Sequence, residues 1–290
     1  MLRLRASIRS LKRCLSTHAT LPGVLALEQD GAAGGSGPVM LVEFLRGMSL
    51  AEADSAAAGA EVLADLTPHA THSVLLGDAK RHAFDRIVWR RFPCASSAHS
   101  AVVELAAAVG SNSCLVLRVN EVAGFAALSL SEASENSGAP HDTVPAAGAG
   151  APSPAPFVAD PSSHPAAWAA LHEEPSPGRM VAMNMLRMAE GTPVPARYAQ
   201  YAAHFAELPA RYGLAVRAVA EVPPPARSVV LGELGPGAAG YTMLAAVDFP
   251  SSRVFESCWS DDDIHRAFPL REQMWQDGFE HVWLRCDEYA

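Results

Sequence analysis

The sequence predicts an α+β protein made of two consecutive βαββαβ units. Three observations carry that expectation. Met180–Gly213 reads as a buried strand, a Gly/Pro turn and an amphipathic helix closed by glycine, and Val39–Gly47 is a weaker copy of its strand. Four short segments match in the same order: Phe44-Leu45-Arg46 with Met185-Leu186-Arg187, Val74–Asp78 with Val229–Glu233, Phe92-Pro93 with Phe249-Pro250, and Leu117–Glu121 with Leu284–Glu288. Between the copies, residues 131–165 are Ala, Gly, Pro and Ser with scarcely any large apolar side chain. Matches in register on both sides of such a linker imply a tandem duplication.

The elements follow in order. Met1–Leu15 carries Arg3, Arg5, Arg9, Lys12 and Arg13 with no acid, and Leu4, Ile8, Leu11 and Leu15 form an apolar stripe. That is the pattern of an organellar transit peptide, and Arg13–Thr17 resembles a mitochondrial cleavage site. The expected address is the mitochondrial matrix, with the chloroplast as the alternative. Residues 16–37 read as a flexible segment, and residues 38–130 as the first unit. Its strands are expected at Val39–Arg46, Ser73–Leu76, Asp85–Phe92 and Cys114–Val122. Its helices are expected at Leu50–Leu66, capped by Ser49, and from Ser96 or Ser97 to Gly110. After the disordered linker at 131–165, residues 166–290 read as the second unit, introduced by a short helix around Trp168. Strand Met180–Met188 leads into a helix capped by Thr192 and ended by Gly213, a residue suited to a left-handed C-terminal position. Strands Leu214–Val222, Ser228–Leu231 and Tyr241–Phe249 follow. A helix from Ser251 or Ser252, broken at Asp261–Asp263, precedes the last strand, Glu280–Cys286.

Composition narrows the function. Hydrophobic residues make up 49% of the 290, enough for packed cores. No apolar run approaches the roughly 20 residues that span a bilayer, so no membrane partner is expected. Net charge is −9, and removing the five positive charges of Met1–Leu15 lowers it to about −14, which argues against nucleic acid as a partner. Five scattered cysteines without a CxxC motif give neither a disulfide framework nor a zinc site. Gly235–Gly240 fits GxGxxG but is followed by a strand, so it is no dinucleotide loop. His69 and His72 lie three apart on an extended segment and so point to opposite faces. Asp261–Asp263 beside His265 reads as a helix start. No metal or cofactor is expected.

The order βαββαβ is the ferredoxin-like arrangement. The second unit resembles the dimeric α/β-barrel superfamily, and within it an uncharacterised branch known as a domain of unknown function. The residues that carry the likeness are Met183-Asn184-Met185-Leu186-Arg187, Tyr198 and Tyr201, Gly213, Phe249-Pro250-Ser251 and Arg271. It covers about Arg179–Tyr289 and, more faintly, Pro38–Val122, where Glu43 replaces Asn184 and the tyrosine pair is missing. The resemblance implies two four-stranded sheets packed face to face within one chain, an intramolecular dimeric α/β barrel open to further oligomerisation. It also implies a small-molecule pocket in the second unit.

Asn184 interrupts an apolar strand, and a buried amide needs partners. Tyr198, Tyr201 and Tyr241 offer hydroxyls, while Arg187 and Arg271 offer forks for a carboxylate. The same residue types also serve packing and surface charge. The superfamily's cofactor-independent monooxygenases use an Asn, a Trp and a His, which Asn184, Trp259 and His265 resemble; isomerase-like chemistry stands beside it. The expected function is binding of a small organic molecule. The alternative is a non-catalytic interaction or scaffold subunit.

Overall fold

The computed structural model describes residues 27, 29–30, 37–46, 59–68, 74–76, 84–109, 114–121, 164–173, 179–187, 200, 203–205, 207–223, 228–232, 241–259, 261–276 and 280–288. The transit segment, nearly all of the linker, Thr192, Tyr198, Tyr201, the His69–His72 segment and Gly235–Gly240 lie outside these residues. Among the described residues there are ten strands: β1 (Val39–Leu45), β2 (Glu61–Pro68), β3 (Val74–Leu76), β4 (Arg86–Phe92), β5 (Cys114–Glu121), β6 (Met180–Arg187), β7 (Ala215–Glu221), β8 (Val229–Leu231), β9 (Met243–Phe249) and β10 (Glu280–Glu288). The helices are α1 (Ala95–Val109), α2 (Pro165–Glu173), α3 (Leu208–Tyr212), α4 (Ser252–Trp259) and α5 (Asp262–Gln276).

The expected pair of ferredoxin-like units, packed as an intramolecular dimeric α/β barrel, is corrected by the strand order. Hydrogen bonds link the strands as β1-β4-β2-β10-β6-β9-β7-β5-β8, with β3 on β10 and a further β1–β5 pairing. Eight strands thereby form a closed circuit, the connectivity of an antiparallel β-barrel. The described residues are mostly β with few, mostly short helices. The physical reason lies at the strand edges. β1 is bonded on both sides, antiparallel to β4 (Val39 opposite Phe92) and to β5 (Met40 opposite Val119). β2 and β5, which would be left at the margins of a separate sheet, likewise each have a bonded neighbour on both sides along this order.

β2 is the second correction. An Ala-rich helix is expected over Leu50–Leu66, yet Gly59 takes a φ of +89° and Glu61–Pro68 is extended. Ala64, Leu66 and Pro68 are buried while their neighbours are not. This period of two outweighs the helix propensity of alanine.

The chain divides into two compact units that are not contiguous in sequence. The first comprises Met1–Asp65, Phe84–Asn120 and Val222–Gly240; the second comprises Leu66–Ala83, Glu121–Glu221 and Tyr241–Ala290. In the first, α1 lies on a core of Val39, Leu41, Leu45, Val88, Phe92, Cys114 and Val116. These residues share one sheet face because cross-strand partners point the same way. Leu27, from the segment expected to be flexible, is fully buried in that core, and Asp30 accepts an ion pair from Arg118 at 2.5 Å. In the second unit, α2 and α4 cover Met180, Ala182 and Phe249 with Trp168, Phe255 and Cys258. The Trp168 ring lies 5.7 Å from Phe255, and its indole N–H donates to Leu75 O at 3.2 Å. Gly213 ends α3 at φ +66°. Ser251 caps α4 by accepting the Val254 N–H at 3.2 Å, as its position in the sequence implies.

Candidate functional site

β6 positions Asn184 between Ala245 on β9 and Trp283 on β10. Met180 and Ala182 share its face and belong to the helix-covered core, so Asn184 faces the same side. It is half-buried, and its Nδ2 donates to Ala182 O, two residues back in its own strand, at 3.0 Å. Tyr241 is buried two residues ahead of Met243, whose Cα partner on β6 is Leu186. Thr242 ties the same place together, its N–H donating to Leu186 O at 2.7 Å.

The remaining candidates separate. Arg187 ends β6 opposite Glu280, and strand alternation puts it on the face away from Asn184. Trp259 closes α4 inside the apolar core, 5.9 Å from the Phe255 ring and 6.0 Å from Phe205, both edge-on. That is the setting of a packing residue. His265 lies half-buried in α5, and its N–H donates to Asp261 O at 3.1 Å. Arg271 belongs to α5, and its side chain falls outside the described residues.

The Asp261–Asp263 segment is a structured junction. Asp261 caps α5 by accepting the Asp263 N–H at 2.8 Å, and it also accepts Arg211 Nη1 at 2.5 Å and the Tyr212 hydroxyl at 2.8 Å. Burial raises the Asp261 pKa, but the donors on it outweigh that and hold it below the ordinary value. A depressed folded value means stability that is present above the ordinary carboxylate pKa and lost as pH falls through the folded one. Asp261→Ala is expected to cost about 2 kcal/mol, from the lost cap and the hydrogen bonds left unmade, read as a lower midpoint in urea. An unchanged midpoint would mean that water replaces the carboxylate without loss.

Sequence reasoning missed a set of buried charges in the first unit. Glu43 on β1 and Arg90 on β4 are 5% and 3% exposed, and Arg90 Nε lies 3.1 Å from both carboxylate oxygens. Arg86, also on β4, pairs with Asp65 on β2. Burial, the largest influence, pushes the Glu43 carboxyl above its ordinary value, and the Arg90 charge pulls it partly back. The available signal was that Arg86 and Arg90, four apart on a strand, share with Val88 the face that carries Glu43.

The thiols differ sharply. Burial pushes Cys114 and Cys258 up to about 12. Cys94, half-exposed before α1, is lowered, chiefly by the Ser97 backbone N–H, and its Sγ lies 3.6 Å from Ser97 Oγ. Among the described residues no cluster of His, Cys, Asp or Glu has metal-site geometry.

No family model and no curated protein matches the chain. The strand order overturns the resemblance to the dimeric α/β-barrel superfamily together with the ferredoxin-like fold that it implied. Among solved structures, the crystal structure of methylated RPA0582 protein is similar, at 16% identity over 44% of this chain and 92% of that one, with a TM-score of 0.34. So distant a likeness carries nothing about function.

Proposed function

We propose that the chain binds a small organic molecule on the helix-covered face of β6 in the second unit, with Asn184 as its hydrogen-bonding anchor. One observation carries this reading. Asn184 is the polar side chain within a strand whose other residues up to Leu186 are buried, and its amide donor goes to a carbonyl of that same strand. A primary amide carries two N–H donors and a carbonyl acceptor, groups by which mostly apolar pockets orient a ligand. Ala245 opposite it contributes little bulk. Trp259, enclosed by aromatic neighbours, serves the wall rather than a reaction, so the proposal is for binding.

The test is mass spectrometry of small molecules that co-purify with the full chain and with Asn184→Ala. The native protein is expected to carry a species that the variant retains about tenfold less well, the worth of one buried hydrogen bond. Identical profiles would remove Asn184 from the reading. An empty native protein that also gives no thermal shift in a metabolite screen would favour a scaffold role.

A further inference from the structure

Asp248 presents a second feature, on the opposite face of the same sheet. It pairs with Val181 on β6 and Ala215 on β7, whereas its neighbours Val247 and Phe249 point into the helix-covered core. Asp248 is 3% exposed. Burying a carboxylate there is unfavourable unless cations meet it, and two do. Arg217 reaches it with Nε at 3.3 Å and Nη2 at 3.1 Å, and Arg179 Nη2 lies 2.7 Å away.

The backbone is shaped to make this arrangement. In the β7–β9 ladder Val216 pairs with Val247 and Ala218 with Ala246, so Arg217 is the extra residue of a β-bulge. Bulges re-aim side chains and recur beside functional sites. Here the bulge directs Arg217 to Asp248. Arg179, just ahead of β6, is then held at one end by the buried carboxylate while its side chain stays 59% exposed. A surface ion pair contributes little to stability, and a buried carboxylate already met by Arg217 does not need a largely exposed second arginine. What the second contact does is fix a guanidinium in orientation at the surface, and among the described residues only its Nη2 is engaged, by Asp248.

We propose that Arg179, oriented by Asp248 and backed by Arg217, is a binding site for a small oxyanion, a carboxylate or phosphate group. The guanidinium fork matches two oxygens of either group, and holding it in place beforehand removes much of the ordering cost of capture. The site is distinct from the Asn184 face and does not depend on it.

The test is calorimetric titration of the full chain with sodium phosphate and, separately, sodium acetate at constant ionic strength, repeated with Arg179→Gln. Native protein is expected to bind at least one of the two anions saturably at a single site. Phosphate alone would indicate a phosphate-bearing ligand, and acetate, alone or with phosphate, a carboxylate. Arg179→Gln, exposed and so expected to leave the circular dichroism spectrum and thermal midpoint nearly unchanged, should weaken that binding at least tenfold. No saturable binding of either anion, or equal affinity in the variant, would overturn the proposal.

Discussion

Glu43→Leu is expected to destabilise the protein by about 3–5 kcal/mol, the usual consequence of removing one partner from a buried ion pair. The reason is the fate of Arg90, 3% exposed, whose Nε is directed at both Glu43 oxygens. A guanidinium cannot shed its proton within a folded protein, so the charge stays buried when its carboxylate goes. The mirror substitution, Arg90→Met, should cost less, about 1–3 kcal/mol, because a stranded carboxyl can take up a proton. Replacing both together should come closer to the native stability than Glu43→Leu alone. Urea unfolding of the three variants checks the order, and equal costs for the two single changes would sink the account.

The same carboxyl sets a pH dependence. Its folded pKa lies above the ordinary 4.5 because burial disfavours the charged form. The folded state therefore binds this proton more tightly than the unfolded chain does. Its contribution is fully present below about 4.5 and is lost as pH rises through the folded value. Glu43→Gln should flatten that part of the stability profile, and superimposable profiles would show that the carboxyl titrates alike in the folded and the unfolded chain, against the upward shift that burial gives it.

Gly232→Ala is the second large effect. Gly232 follows β8 at φ +84°, a backbone region that costs an L-residue roughly 1–2 kcal/mol. A Cβ there would also overlap the Cys114 carbonyl oxygen and lie 2.9 Å from its carbon and 3.1 Å from Leu115 Cα. These are backbone atoms of β5, which pairs with β8 through Val116 and Leu231, so yielding would disturb the ladder. Strain and overlap together should exceed about 3 kcal/mol and lower the thermal midpoint by roughly 10 °C. Gly213→Ala is the internal comparison: φ is +66°, but the nearest atom to its Cβ would be Pro250 Cγ at 3.5 Å, so it carries strain alone. A smaller drop for Gly232→Ala than for Gly213→Ala would contradict the close approach.

Strand positions were legible because apolar runs bounded by turn residues, such as Val39–Leu45 and Met243–Phe249, leave few other options. Two helix ends were legible for the same local reason, at Ser251 and Gly213, whereas Ser96 and Ser97, expected as caps, lie inside α1. The circuit of strands was not, since which edge meets which is decided by pairings far apart in sequence. β2 was misread because Ala51–Ala64 is rich in a strong helix former, while the deciding feature is Gly59 and the alternation after it. At the candidate site, Asn184 stood out as an amide in an apolar strand. The Glu43–Arg90 pair did not, because a charge in a strand reads as solvent-facing until its cross-strand partner is known. Arg217 was likewise hidden: only the bulge shows where its side chain is aimed.

The interleaving of the two units bears on how the chain matures. β8 belongs to the first unit and bonds to β5, yet more than a hundred residues separate the two in sequence. During synthesis, and during any passage through a translocation pore, the amino-terminal half waits for a strand that arrives late. It must be kept from aggregating until then, so neither unit can be completed as a simple fragment of contiguous sequence.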